Sequence, residues 1–139
     1  MLDDHLLRDL LADELGNELR NLLDEFEPAT TNYYLYRLSR SVVSAAGGTL
    51  TGSWNEEQRR ELGARLLDVP DEIEIVPMRI LAYTMAEIVS VHRVSALGAE
   101  AVAAANYLGA PLCVWKGDDG PEIRAAIATH NASYRAIGH

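Results

Sequence analysis

Two pairs of adjacent aspartates stand out in this 139-residue chain as residues that could do chemistry. Asp3 and Asp4 lie near the start of the sequence, and Asp118 and Asp119 follow the apolar run Leu112–Trp115. Carboxylate oxygens are the ligands that hard divalent cations such as Mg²⁺ prefer. If the fold brings both pairs together, they could hold a metal ion. Two other interpretations remain open, since acids also favour helix starts and an Asp-Asp-Gly-Pro stretch is typical of a turn.

The pattern of apolar residues predicts the elements that must position these acids. Short strands are predicted at residues 1–2, 73–77, 112–115 and 133–138. Helices are predicted at about residues 5–14, 19–26, 32–46, 56–67, 78–92, 95–109 and 122–129. Strands separated by helices favour parallel crossovers and a sheet covered on both faces. In such sheets ligands bind at the carboxyl ends of strands, and both aspartate pairs stand at predicted strand ends.

Composition narrows the class of protein. The net charge is −9 and no basic run is present, which disfavours nonspecific nucleic-acid binding through a basic face. Cys113 is the single cysteine, so no internal disulfide and no zinc-type cysteine spacing is expected. The start of the chain is acidic and no apolar stretch approaches about 18 residues, so neither a signal peptide nor a membrane helix is expected. We therefore predict one cytoplasmic domain over residues 1–139, without membrane contact.

Three stretches carry a resemblance to a known family. LDDHLLRDLL resembles an opening strand that ends in aspartate, and GPEIRAAIATHNASYRAIG resembles a closing helix and strand. VSALGAEAVAAANYLGAPLCVW resembles a Ser-x-x-Asp-Ala step, an alanine-rich helix, Leu-Gly-Ala-Pro-Leu and a buried strand. In this order the stretches resemble the PIN domain, the fold of many prokaryotic toxin ribonucleases of the virulence-associated toxin–antitoxin type.

The resemblance implies a helix-rich α/β fold, a three-layer α/β/α sandwich with a short parallel sheet. It also implies an endoribonuclease site that depends on Mg²⁺ or Mn²⁺, with Asp3 and Asp118 as its catalytic residues. The metal ligands it implies are Asp3, Asp4, Glu100, Asp118 and Asp119. RNA is then the expected substrate, and an antitoxin or another protein the expected partner. A homodimer is expected because the helix predicted at residues 32–46 is rich in tyrosine and leucine.

Two departures from the family pattern favour an alternative function. Gly98 stands where the family has the aspartate of Ser-x-x-Asp-Ala. The stretch TTNYYLYRLSR contains no acid, and Tyr36 or Arg37 lies near the place of the family's early glutamate. The alternative is a PIN-like module that has lost catalysis and works by binding. A third interpretation is a helical interaction protein whose resemblance to the family is accidental.

Overall fold

A computed structural model describes residues 1–44 and 48–138 as a helix-rich α/β fold. Its strands are β1 (Ala29–Thr31), β2 (Glu74–Val76), β3 (Leu112–Trp115) and β4 (Tyr134–Ile137). Its helices are α1 (Asp4–Leu11), α2 (Asn17–Glu25), α3 (Asn32–Val43), α4 (Gly48–Thr51), α5 (Glu56–Leu67), α6 (Ala82–Val91), α7 (Ala96–Leu108) and α8 (Pro121–Thr129). The coarse prediction of an α/β protein is confirmed.

Most predicted elements are found, with displaced ends. The strands predicted at 73–77, 112–115 and 133–138 correspond to β2, β3 and β4. The helix predicted from residue 78 begins only at Ala82, because a 3₁₀ turn occupies Met78–Ile80. The helix predicted over 32–46 ends at Val43, and the last two predicted residues lie outside the described ranges.

Strand β1 is absent from the elements predicted above, because Thr30 and Thr31 are equally typical of a helix start. Thr31 has two roles. It is the last residue of β1, and its hydroxyl caps α3 by accepting a hydrogen bond from the Tyr34 N–H. A strand of three residues is too short to show a period of two. Pairing with β2 supplied the information that the local sequence lacks.

Two parallel sheets, β1 with β2 and β3 with β4, are joined by the start of the chain. The Leu2 N–H donates to the Ala29 carbonyl at 2.8 Å, and Leu2 also forms a parallel bridge with Cys113. The Cys113 N–H donates to the Met1 carbonyl at 2.8 Å. Residues 1–3 therefore lie between β1 and β3, and the hydrogen-bonded order is β2, β1, residues 1–3, β3, β4.

The strand β3 has apolar contacts on both faces. Leu112 and Val114 pack in the cluster that contains the buried alanines of α7, whereas Cys113 packs with Leu6 and Leu19 in another cluster. Alternation between the faces is the period of a strand. Burial on both sides explains why this stretch is continuously apolar. It also holds α1 and α7 close to the carboxyl end of β3.

Within the described ranges, no single helix is both long and apolar enough to cross a membrane. Helices α6 and α7 meet the length and composition criterion only as a pair, and they are bent by 120° relative to each other.

Candidate metal centre

Asp3 joins the start of α1 to the end of β3. Its Oδ1 caps the helix by accepting a hydrogen bond from the Leu6 N–H at 2.9 Å, and its Oδ2 accepts one from the Trp115 N–H at 2.8 Å. The cap satisfies a backbone donor that the first turn of a helix leaves unpaired. The two interpretations of Asp3, cap and site residue, are therefore compatible in one side chain.

The turn after β3 brings Asp118 back to α1. Residues Lys116–Asp118 form a 3₁₀ turn, at the end of which Asp118 Oδ2 lies 2.8 Å from His5 Nδ1. Gly117 is required here, because a Cβ at this position would lie 2.0 Å from the Trp115 ring. That ring stacks on the His5 imidazole with centroids 4.5 Å apart and planes inclined by 25°. The Trp-Lys-Gly-Asp sequence thus fixes both His5 and Asp118.

Four side chains converge as a compact acidic and histidine group, which we call the acidic centre: Asp3, Asp4, His5 and Asp118. One potential ligand atom from each lies within 4.8 Å of the others, and all but Asp118 are buried. They line a cleft of about 250 Å³ to which Tyr34 also contributes. The group could hold a metal ion. Of the five metal ligands implied by the family resemblance, three come together here.

Arg37 extends from α3 to the acidic centre. Its Nε lies 3.3 Å from Asp4 Oδ2, while its side chain stays 44% exposed at the edge of the cleft. Asp4 Oδ2 is itself buried and accepts no hydrogen bond from the described residues, because the Arg37 contact does not have hydrogen-bond geometry. A buried carboxylate oxygen without a donor is uncommon and needs an explanation. A cation bound in the cleft would supply one.

The acidic centre perturbs the pKa values of its members. Burial raises the pKa of Asp3 to about 7, against the effect of the two backbone hydrogen bonds from Leu6 and Trp115. Burial alone would lower the pKa of His5, but the nearby carboxylates of Asp118 and Asp4 outweigh it and raise the value to about 9. Burial and the nearby carboxylates also raise the pKa of Tyr34. Ionised carboxylates are thus costly in this site unless a cation accompanies them.

Glu100 is fully buried but lies outside the acidic centre. One of its oxygens accepts a hydrogen bond from the Thr31 hydroxyl, and Oε2 is a buried atom without a hydrogen-bond partner among the described residues. Burial raises the pKa of this carboxyl group. Because Thr31 caps α3, Glu100 supports the start of the helix that carries Tyr34 and Arg37 to the cleft.

Asp119 also lies outside the acidic centre, although it follows Asp118 directly. Its oxygens accept hydrogen bonds from Arg124 at 2.8 and 2.7 Å and from the Tyr134 hydroxyl at 2.7 Å. These contacts lower the pKa of Asp119 to about 2. The geometry assigns Asp119 to the surface pairing of α8 with β4.

His5 and Arg37 are the members of the site that the sequence alone did not reveal. His5 is not a candidate from the sequence, because no nucleophile lies near it there. The available signal was chemical: histidine is a common metal ligand, and this one directly follows two aspartates at a predicted strand end. Arg37 gave only an ambiguous signal, because a surface arginine looks the same in sequence. Its position depends on how α3 packs against α1.

Comparisons with models of protein families and with curated proteins find no match to this chain. Its class rests on the fold and the site: an α/β protein with a buried acidic and histidine group that could hold a metal ion.

Proposed function

We propose that the chain is a PIN-like, metal-dependent ribonuclease. The observation that carries the proposal is the acidic centre, in which Asp3, Asp4, His5 and Asp118 converge beside an open cleft. Asp3 and Asp118 follow two neighbouring parallel segments at their carboxyl ends, where ligands bind in such sheets. Carboxylates gathered at such an edge are what a phosphodiester-cleaving metal site needs.

The order of the strands supports the PIN-like part of the proposal. Residues 1–3 are central, β1 and β2 follow on one side, and β3 and β4 follow on the other. Apolar clusters on both faces of β3 are consistent with helices in two layers around it. A three-layer α/β/α sandwich is the architecture we propose for these contacts.

The proposed roles follow from the chemistry of each side chain. Asp3, Asp4 and Asp118 would hold a divalent cation, and their combined charge suits Mg²⁺ or Mn²⁺. A cation held there supplies an activated water and neutralises charge on a phosphodiester. Arg37 stands at the edge of the cleft, where its guanidinium can donate to a phosphate oxygen. The chain therefore contributes both the cation site and a positive group for the substrate.

The direct test is incubation of the protein with RNA in Mn²⁺ or Mg²⁺, with EDTA as the blank. We expect cleavage that requires the cation and that Asp3→Asn abolishes, because the amide removes the charge. The amide keeps the oxygen that caps α1, but its NH2 group replaces the oxygen that accepts from the Trp115 N–H. Circular dichroism and urea unfolding of Asp3→Asn establish that the variant is folded. Absence of cleavage by the wild-type protein, with no effect of Asp3→Asn, would refute the enzymatic proposal.

Gly98 offers a gain-of-function prediction. It lines the cleft, and a Cβ there would meet Val94 at 3.5 Å and Ser95 Oγ at 3.7 Å, which are ordinary contacts. Gly98→Asp therefore adds a carboxylate in the first turn of α7, where an acid is also favourable. We expect Mn²⁺ to bind about tenfold more tightly, or about 1.4 kcal/mol.

Calorimetric titration with Mn²⁺ measures this change, and Gly98→Asn is the matched control of the same size without charge. Equal affinities for Gly98→Asp and Gly98→Asn would show that residue 98 does not face the cation.

The alternative is a PIN-like binding or interaction module without catalysis. Two positive groups of the chain, His5 and Arg37, already contact the carboxylates of the acidic centre, and Gly98 contributes no ligand. This arrangement can balance charge without a metal. Tight Mn²⁺ binding that depends on Asp118 counts against this alternative, whereas binding of RNA without cleavage supports it.

The proposed function also includes binding to a partner protein, either an antitoxin or a second copy of the chain. An antitoxin or a second copy of the chain would need an exposed apolar surface. Helices α3 and α5 offer one, since a groove of about 830 Å³ lies between them and Val43 and Leu67 are exposed there. Measuring the oligomeric state in solution tests the homodimer directly.

A further inference from the structure

The acidic centre differs from a purely carboxylate site by its histidine. His5 is only 8% exposed, and its Nδ1 lies 2.8 Å from Asp118 Oδ2 and 3.6 Å from Asp4 Oδ1. We propose that His5 Nδ1 is itself a metal ligand, releasing its proton to solvent as the cation binds, and that the site therefore prefers transition-metal cations (Mn²⁺, Co²⁺, Zn²⁺) over Mg²⁺ and Ca²⁺. The inference rests on the proposed function only in requiring that the acidic centre holds a cation.

Two buried atoms in the centre have unused capacity for a ligand. Asp4 Oδ2 and His5 Nδ1 are both buried and make no geometrically acceptable hydrogen bond with the residues described. His5 Nδ1 is close to Asp118 Oδ2, but the contact is an ion pair without hydrogen-bond direction. The residues that carry these atoms are 4% and 8% exposed. Both atoms belong to the group whose ligand atoms lie within 4.8 Å of one another.

The separation of His5 Nδ1 and Asp118 Oδ2 fits two ligands of one cation. Ligand atoms about 2.0–2.2 Å from a first-row metal, placed at about a right angle, are about 2.8–3.1 Å apart. The observed 2.8 Å is in this range. The same distance suits an ion pair, so the distance permits coordination and the unused capacity of the buried atoms favours it.

The imidazole is also held in place before any cation binds. Trp115 stacks on the His5 ring, and Asp3 fixes the start of α1 through its cap. Ligands that are oriented by their surroundings bind metals more tightly than mobile ones. His5 therefore loses little conformational freedom on coordination.

The choice of cation follows from the ligand set. Mg²⁺ and Ca²⁺ take oxygen ligands almost exclusively. Imidazole nitrogen suits transition metals, and affinity generally rises from Mn²⁺ through Co²⁺. Three carboxylates and one imidazole thus form a mixed site, in which Mg²⁺ binds the carboxylate oxygens but gains little from the imidazole nitrogen. Arg37 also offsets part of the negative charge that a hard cation needs.

The test is calorimetric titration of the metal-free wild-type chain with Co²⁺, Mn²⁺ and Mg²⁺ separately. We expect Co²⁺ to bind at least about tenfold more tightly than Mg²⁺. His5→Gln should weaken Co²⁺ binding by at least about tenfold, the effect typical even of residues outside the ligand shell, and leave Mg²⁺ within about twofold. His130→Gln, in a histidine outside the acidic centre, should change neither affinity.

A spectroscopic readout of the wild-type chain does not depend on the folding of a variant. Co²⁺ bound by His5 should shift the remaining ring N–H proton of that imidazole far outside the normal NMR range. If Co²⁺ binds and Asp118→Asn weakens it, but no such proton appears and His5→Gln has no effect, the histidine inference is wrong while the cation site stands. If none of the three cations binds, both proposals fail.

Discussion

We expect Asp118→Asn to reduce metal-dependent RNA cleavage by about 100-fold or more, and Asp119→Asn to leave it within about twofold. The two residues are adjacent, and each substitution replaces one carboxylate by an amide of the same size. Only Asp118 belongs to the acidic centre, where its Oδ2 lies 2.8 Å from His5 Nδ1. Asp119 instead pairs with Arg124 and Tyr134. Comparing the two variants therefore shows whether the loss of activity depends on where the carboxylate lies in the fold, because the two residues are neighbours in the sequence.

Initial rates at saturating Mn²⁺ and at a series of Mn²⁺ concentrations measure this prediction. A loss that excess Mn²⁺ restores identifies weakened cation binding, whereas a loss that persists identifies an effect on the chemical step. Equal losses in the two variants would mean that the turn after β3 is not placed as the structure shows.

The second large effect concerns the pH dependence of stability. The pKa of His5 is raised to about 9, from an ordinary value near 6.5, by its pairing with Asp118 and Asp4. A raised histidine pKa means that the folded state binds the proton more tightly than the unfolded state does. The stabilisation is therefore complete below about pH 6.5 and disappears as the pH rises through 9. Its size is about 2–3 kcal/mol if most of the shift is realised.

Urea unfolding of wild type and His5→Gln in EDTA, at intervals from pH 6 to pH 9.5, measures this effect. We expect the difference in the free energy of unfolding to be largest near pH 6 and to shrink by about 2–3 kcal/mol by pH 9.5. Asp3 contributes in the same direction but in a lower window, since its raised pKa makes stability fall as the pH rises from about 4 to 7. That contribution is present in both proteins and cancels to first order. A difference that does not change with pH would show that His5 is not paired with these carboxylates.

Local sequence was sufficient for the longer elements. The alanine-rich stretch of α7 and the apolar run of β3 show clear patterns, and both were located within one or two residues. The start of α6 and the end of α1 were less accurate, because apolar periodicity does not show the 3₁₀ turn before α6 or the left-handed Asp13 (φ 56°) that follows α1. The three residues of β1 became a strand only through β2 and residues 1–3.

The location of the site at the strand ends was predicted from the sequence, but the full set of residues that form it was not. Asp3, Asp4 and Asp118 were recognised because acids that follow strands of a parallel sheet meet at one edge. Glu100 was included by resemblance to a family, yet it turns inward and bonds to Thr31. Glu100 is two positions after Gly98, where the family has its aspartate, and such a residue points to another side of the helix. The sequence therefore already indicated that Glu100 does not face the site.

The sequence by itself determined the α/β class and the meeting of Asp3 and Asp4 with Asp118 along one edge, because both follow from periodicity and from the order of strands and helices. The tertiary structure decided which side chains meet there: His5 joins the acidic centre, Arg37 reaches it from the edge of the cleft, and Asp119 pairs with Arg124 instead. The physical reason is that these directions depend on contacts between distant segments. The Trp115 ring over Gly117 sets the turn after β3, and the packing of α3 beside α1 sets Arg37.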